Sequence, residues 1–299
     1  MNFRGLDLNL LVVLDALLTE KSVTRTGERI HLSQSATSNA LSRLREYLDD
    51  ELLVQVGNKM VLTSRAESLA EPVRNLLLRT EAVLRPEAEF CPETSGRMFR
   101  LLMSDYAALV VMQDGLPRLK SCAPDVGVEV LPLTDIATQT LERGEVDFLI
   151  GPRQLMSPDH PCEDLYTDRW VCIAWADNPQ VRGPLTPEQY LSMRHAGIRI
   201  GLQRTAPLDE DFLQSQGHHR RFDLIMSSFT LLPQLIVGTN LLGTVHERIA
   251  RHFARILPLR VLPAPIEIPP MVATIQWHQI HGVDRGSRWF RKTLKEIVK

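Results

Sequence analysis

Between residues 22 and 48, SVTRTGERIHLSQSATSNALSRLREYL, apolar positions recur at helical spacing in two short runs parted by a polar break. Advanced at roughly 100° per residue, the second run puts Ala36, Thr37, Ala40, Leu41, Leu44 and Leu48 on one side. Gln34, Ser35, Ser38, Asn39, Ser42, Arg43 and Arg45 fall on the other. Ser33 is the expected N-cap, its hydroxyl accepting from an otherwise unpaired N–H of the first turn. The first side is a core face. The second lacks the Glu and Lys mixture of a solvated helix surface. It carries short hydroxyls, amides and arginines, the groups that donate to phosphates and read base edges, Asn and Gln toward adenine and Arg toward guanine.

The first run, capped by Ser22, turns Val23, Thr26, Gly27 and Ile30 toward the same core, and Leu32 closes the turn. Gly27 costs about 1 kcal/mol against Ala in a helix interior. Close crossing of two helices joined by a tight turn is the compensation. Upstream, Asp7 opens an amphipathic helix with Leu8, Leu11, Leu14, Leu17 and Leu18 inward. Downstream, ELLVQVGNKMVLT reads as a β-hairpin around Gly57-Asn58-Lys59, a wing whose Lys59 reaches phosphate.

A connecting helix follows over residues 63–84, with Leu69, Val73, Leu76, Thr80 and Val83 as a stripe four and three apart. Such a stripe is the seam of two packed helices or packs on the α/β part of its own chain. Pro72 predicts a kink or fresh start there, and residues 86–96, PEAEFCPETSG, read as a hinge.

From Arg97 the texture becomes α/β, with strands expected over residues 98–103, 127–131, 146–150, 170–175, 195–200, 222–226, 241–245 and 272–277. Ligands of open α/β sheets sit beyond the carboxyl ends of strands, near groups that favour anions. Those ends carry Ser104, Asp105 and Tyr106, then Thr134, then Gln203, Arg204 and Thr205, then Ser227 and Ser228. Arg169 is placed to pair with a carboxylate or phenolate. Ser and Thr at strand ends are equally ordinary helix caps, and Asp105 repels an anion unless Arg169 or Arg204 answers it.

Composition changes this picture little. The 299 residues leave room for a small and a larger domain, and a net charge of -2 does not advertise a nucleic-acid binder. Charge is local: between Lys21 and Arg65, Lys21, Arg25, Arg29, Arg43, Arg45, Lys59 and Arg65 stand against Glu28, Glu46, Asp49, Asp50 and Glu51, a small surplus effective only if clustered and doubled in a dimer. Cys91, Cys122, Cys162 and Cys172 show no metal spacing and read as buried or inert thiols, with no metal or cofactor expected. His218-His219 reads as a surface pair. No secretory segment or bilayer-spanning run is visible, which predicts a cytoplasmic protein without membrane contact. An enzyme would be expected to show G-x-S-x-G, a P-loop, G-x-G-x-x-G or H-E-x-x-H, and none occurs. A solute-binding module with a helical tail is the other alternative, separated by salt-dependent DNA binding.

Ser22, Thr24, Glu28, Ser33, Gln34, Ala36, Ser38, Leu41 and Leu44 fall on the S-x-T-x-A-A-E-x-L and S-Q-x-A-x-S-x-x-I-x-x-L-E signatures, so the first 65 residues resemble the winged helix-turn-helix of LysR-type transcriptional regulators. The departures are Thr26-Gly27 for the usual small pair, Ser35 where proline is common and Arg45 where glutamate is frequent. FRGLDLNLLVVLDALLTEKSVT and SNALSRLR are similar more narrowly to the branch of nodulation and aromatic-degradation regulators. The resemblance implies an α/β protein in three parts: a DNA-binding domain over 1–63, a linker and dimerisation helix with hinge over 64–96, and a two-lobed periplasmic-binding-protein-like effector domain over 97–299. Lobe one would hold 97–167 with 268–299, and lobe two 168–267. It further implies double-stranded promoter DNA as partner, a homodimer or homotetramer, and a small-molecule effector, aromatic by the branch, held near Ser104 and the loop of Gln203, Arg204 and Thr205.

Overall fold

The computed structural model describes residues 7–84, 90–201 and 207–298, in two compact units, Met1–Glu87 and Ala88–Lys299. The first contains α1 (Asn9–Glu20), α2 (Val23–Ile30), α3 (Gln34–Leu48), β1 (Leu53–Val56), β2 (Lys59–Leu62) and α4 (Ser64–Leu84). Asp7 accepts from Asn9 N–H at 3.0 Å, as an opening residue should. The inward register differs from the expected leucines. Leu8 precedes the first turn and is exposed, whereas Leu10 and Val13 join Leu14, Leu17 and Leu18 in a core shared with Ala40, Leu41 and Leu44.

Gly27 shows why the helix pair needs it. A Cβ there would stand 2.7 Å from the Leu32 carbonyl oxygen and 3.0 Å from Thr37 Oγ1. The wing pairs Leu53 with Leu62 and Val56 with Lys59, and Gly57 turns it at φ 62°. Leu52 enters the wing at φ 59°, unusual for a leucine. Its fully buried side chain and the Asp50 carboxylate, which accepts from Leu52 N–H at 2.7 Å and Thr63 Oγ1 at 2.6 Å, hold it there. Helix α4 runs through Pro72 without a fresh start. The expected stripe divides: Val73 and Leu69 join the core of this unit, and Leu76, Thr80 and Val83 stay exposed. Arg74 ties α4 to α1 through Asp15 at 2.7 Å.

The second unit runs β3 (Met98–Met103), α5 (Asp105–Cys122), β4 (Gly127–Pro132), α6 (Ala137–Glu142), β5 (Phe148–Pro152), β6 (Cys162–Asp168), β7 (Trp170–Trp175), α7 (Pro187–Ser192), β8 (Arg194–Ile198), α8 (Leu208–Ser215), β9 (Arg221–Met226), α9 (Leu232–Ile236), β10 (Leu242–His246), α10 (Glu247–Ala254), β11 (Leu259–Pro263), β12 (Met271–Gln276) and α11 (Arg285–Ile297). These make two five-stranded sheets, ordered β4-β3-β5-β12-β6 and β11-β7-β10-β8-β9. The chain passes from the first sheet to the second across Arg169, between Asp168 and Trp170, and returns between Pro263 and Met271. We call the parts around these sheets lobe one and lobe two. Among the central strands β10 is buried end to end and β5 and β7 nearly so, while β3 exposes Met98 and Arg100. The strands absent from the expected set, β6 and β11, each lie at a sheet edge, as do β4 and β9, which the expected set includes; β6 carries Glu163, Asp164 and Thr167 in place of an apolar run, and β11 is short and ends in Pro263.

All four cysteines are free thiols. Cys91, Cys122 and Cys162 are exposed; Cys172 is buried, which pushes its thiol up to about 12. Among the described residues no His, Cys, Asp or Glu cluster suits a metal, and no helix is long and apolar enough to cross a membrane.

Candidate functional site

Helix α3 builds an outward polar face from its own period. Thr37, Ala40, Leu41 and Leu44 are buried, which forces Gln34, Ser35, Ser38, Asn39, Ser42 and Arg43 into solvent. Ser33 Oγ caps the helix by accepting from Ala36 N–H at 3.2 Å and lies 3.0 Å from Ser35 Oγ. Ser42 donates to the Ser38 carbonyl at 3.1 Å, and Arg43 has only a loose contact with Asp7 at 3.8 Å. Arg45, on the same face by periodicity, is engaged elsewhere. It donates to the carbonyls of Glu51 and Leu53 at 2.8 and 3.0 Å and so anchors the wing to the helix. Lys59 is exposed on the wing.

In the second unit a cavity of about 180 Å³ lies between the lobes. Lobe one supplies Leu133, Thr134, Leu149 and Met156, and lobe two Trp170, Ile200, Phe229 and His246. Its described lining holds no Lys or Arg, and Asp135 is the one acidic member. Asp135 also marks where the lobes approach: at Gly201, φ 71°, a Cβ would stand 1.9 Å from Asp135 Oδ1. His246 is buried, its ring stacked on Tyr106 at 4.5 Å and set against Trp170 at 3.9 Å. Burial lowers its pKa to about 3, so the ring is neutral, and its Nδ1 has no hydrogen-bond partner. Neutral imidazole offers a donor at one nitrogen and an acceptor at the other.

Of the residues expected around an effector, Thr134 lines this cavity. Ser104 is half-buried and caps α5, accepting from Ala107 N–H at 3.2 Å. Tyr106 is buried behind His246 and donates to Asp168 Oδ2 at 2.6 Å, at the junction of the lobes. Asp105 is not paired with Arg169, which is engaged by Glu247, and Arg204 lies outside the described residues; its Oδ1 accepts from Tyr106 N–H in the first turn of α5 at 3.0 Å. Its Oδ2 accepts from Ser228 Oγ at 2.7 Å, Thr230 N–H at 2.9 Å and Thr230 Oγ1 at 2.7 Å, and Oδ1 from Phe229 N–H at 3.2 Å. Burial works to raise its pKa, but the donors from Thr230, Ser228 and Phe229 outweigh burial and hold it below the usual carboxylate range.

Arg169 stands outside the cavity wall, exposed and paired with Glu247, whose pKa that contact lowers to about 2. Ser227 is exposed and also outside the wall. Gln203, Arg204 and Thr205 lie outside the described residues. The sequence reading missed Trp170, Phe229 and His246. The signal available was position: Phe229 follows β9 and His246 ends β10, as Thr134 follows β4, whereas Trp170 opens β7 just past the lobe crossover.

Residues 8–67 match the bacterial regulatory helix-turn-helix protein, lysR family, and residues 93–299 the LysR substrate binding domain. Nodulation protein D 1 of Mesorhizobium japonicum is 40% identical over 294 residues, 98% of this chain and 94% of that protein. The crystal structure of the probable transcriptional regulator PA0477 of Pseudomonas aeruginosa has a TM-score of 0.68 at 32% identity, covering 99% of this chain and 98% of that one. Full-length CbnR, a LysR family regulator solved with its target DNA, shares the fold at a TM-score of 0.58 and 12% identity, over 98% of this chain and 99% of that one. With a helix-turn-helix in its first unit, two lobes around a cavity in its second and near-full-length relatives at this identity, the chain belongs to the LysR family of transcriptional regulators, which bind DNA and effectors and are not enzymes.

Proposed function

We propose that this regulator takes an uncharged aromatic effector into the cavity between its lobes, and that Ser33, Gln34, Ser35, Ser38, Asn39, Ser42 and Arg43, with Lys59 of the wing, contact promoter DNA. The observation that carries the effector half is the wall: apolar and aromatic side chains from both lobes, a neutral buried His246, and no described cation. A flat ring stacks in such a space, and a hydroxyl or carbonyl on it meets the imidazole. Arg169, engaged by Glu247, is left out of the wall, so a carboxylate on the effector gains nothing from it. A ligand that touches both lobes favours one lobe arrangement over another, which is what ligand gating needs. The DNA half rests on the exposed, loosely partnered groups of α3. Acting as a homodimer or homotetramer, the protein would read half-sites about 10 bp apart or a multiple of that.

Duplexes selected from a random pool supply the operator, and phenol, benzoate and flavone serve as effector probes. Trp170 fluorescence and the unfolding midpoint of the full chain should respond to phenol or flavone more than to benzoate, and His246→Leu should weaken the response. A ligand at 100 times its Kd adds about 2.7 kcal/mol of stability. No response to any of the three, or a response equal in His246→Leu, overturns the aromatic reading. Selected duplexes bound equally well by Arg43→Ala overturn the assignment of the reading face.

A further inference from the structure

The Asp105 contacts join the lobes. Asp105 opens α5 in lobe one, and its oxygens are held by Ser228 Oγ, Thr230 Oγ1 and the N–H groups of Phe229 and Thr230 in lobe two. With Tyr106 N–H of lobe one also donating to Oδ1 at 3.0 Å, the carboxylate has five donors among the described residues, four of them from lobe two; this is the coordination a protein gives a bound anion, and charge-assisted hydrogen bonds of this kind are stronger than neutral ones. Among the described residues no Lys or Arg side chain takes part in these contacts, and the hydroxyl and backbone N–H donors stabilise the charge. Phe229, whose N–H is one of them, also lines the cavity, and Tyr106, the next residue after Asp105, stacks on His246. Asp135 against Gly201 is a second close approach between the same lobes.

We propose that residues 228–230 form a carboxylate-binding site, that Asp105 is its tethered occupant, and that this clasp holds the lobes shut over the cavity. Because the anion site of the cleft is filled from within, the effector needs no charge of its own. That consequence alone rests on the effector reading above; the clasp itself does not.

The test uses the full chain and formate as the probe, with chloride at equal ionic strength as control. Asp105→Ala should lower the unfolding midpoint of the second unit by roughly 5 °C and speed amide hydrogen exchange at Phe229 and Thr230. Formate should reverse much of both effects saturably in Asp105→Ala, act on the wild type no more than chloride does, and fail in the double variant with Thr230→Val. Asp105→Asn, whose amide keeps the site filled but points N–H at N–H, should be destabilised and not rescued. Equal responses of wild type and Asp105→Ala to formate, or an Asp105→Ala midpoint equal to wild type, overturn the clasp. Should Asp105→Ala not accumulate folded, Thr230→Val alone is read: withdrawing two-centre donation from Thr230 Oγ1 lets the carboxyl pKa rise, so acid unfolding begins at higher pH. An unchanged acid limb overturns the proposal. The readout is unfolding, so a failed effector panel and a failed clasp are told apart.

Discussion

The outward face of α3 and the cavity of the second unit are opposite kinds of recognition surface. On α3 the polar groups are contiguous in sequence, exposed, and without strong partners inside the chain, Arg43 at 3.8 Å from Asp7 being typical. Around the cleft the polar groups are drawn from distant segments and paired internally, Asp105 with residues 228–230 and Tyr106 with Asp168, while Arg169, outside the wall, is held by Glu247. The difference teaches how each selects. A surface with open donors and acceptors gains affinity from polar partners such as bases and phosphates. A cavity with mostly apolar and aromatic walls selects by shape and apolar contact, with Thr134, Asp135, Thr138 and the unpartnered Nδ1 of His246 as its polar marks.

The sharpest way to break this comparison is to remove the α3 face while sparing the cleft. Gly27→Val forces a branched side chain against the Leu32 carbonyl and Thr37, and overpacking of this kind costs about 2–3 kcal/mol. Calorimetry should show the first unit melting early or already unfolded, DNA binding lost, and ligand-induced stabilisation of the second unit kept. Loss of both functions together would tie the two surfaces into one folding unit.

Acid titration separates the units by charge. His246 and His195 are buried with pKa values lowered to about 3 and 4, burial being the main cause. Both protonate in the unfolded chain near 6.5 before they do so when folded. Their contribution is therefore present above pH 6.5 and lost as pH falls toward 4 and then 3, by about 1.4 kcal/mol per pH unit for each. The second unit should weaken over that window, and His246→Phe should flatten part of the slope in urea unfolding series. An unchanged slope would mean that the imidazole is not buried in solution.

Arg43→Ala should cost about 1–3 kcal/mol on a selected duplex and relax base preference at one position. Lys59→Ala should weaken all duplexes alike and reduce the salt slope by about 1. Fluorescence anisotropy at several salt concentrations distinguishes them, and base-selective loss in Lys59→Ala would reverse the roles. The smallest effect belongs to Arg169→Ala, an exposed pair member outside the cavity. It should leave Trp170 fluorescence titrations unchanged, and a lost ligand response would place Arg169 in the site after all.

Legibility followed locality. The α3 face, the Ser22 and Ser33 caps, the Gly57 turn and the close approach at Gly27 can all be read along a few residues, because helix period, capping and turn chemistry act over one or two turns. Arg45 shows the limit: periodicity puts it with the DNA readers, and only the folded wing shows its guanidinium held by Glu51 and Leu53. The central strands and the edges β4 and β9 were visible in the sequence; β6 was not, since an edge strand tolerates polar positions such as its Glu163, Asp164 and Thr167, and neither was β11, a short segment whose Pro263 reads against a strand. In the cleft, Thr134 was legible as a strand-end residue, whereas Trp170, Phe229 and His246 look like ordinary core.

By itself the chain therefore determined which segments become helices and strands, which face of α3 is polar, and that an α/β unit follows a helix-turn-helix. The tertiary structure decided what Asp105 meets 123 residues later at Ser228, where Arg169 turns, and which aromatic rings from two lobes close on one cavity. The reason is physical. Hydrogen-bond period and propensity are properties of neighbouring residues, but a carboxylate finds its donors, and a cavity its walls, only when loop closure brings remote segments together.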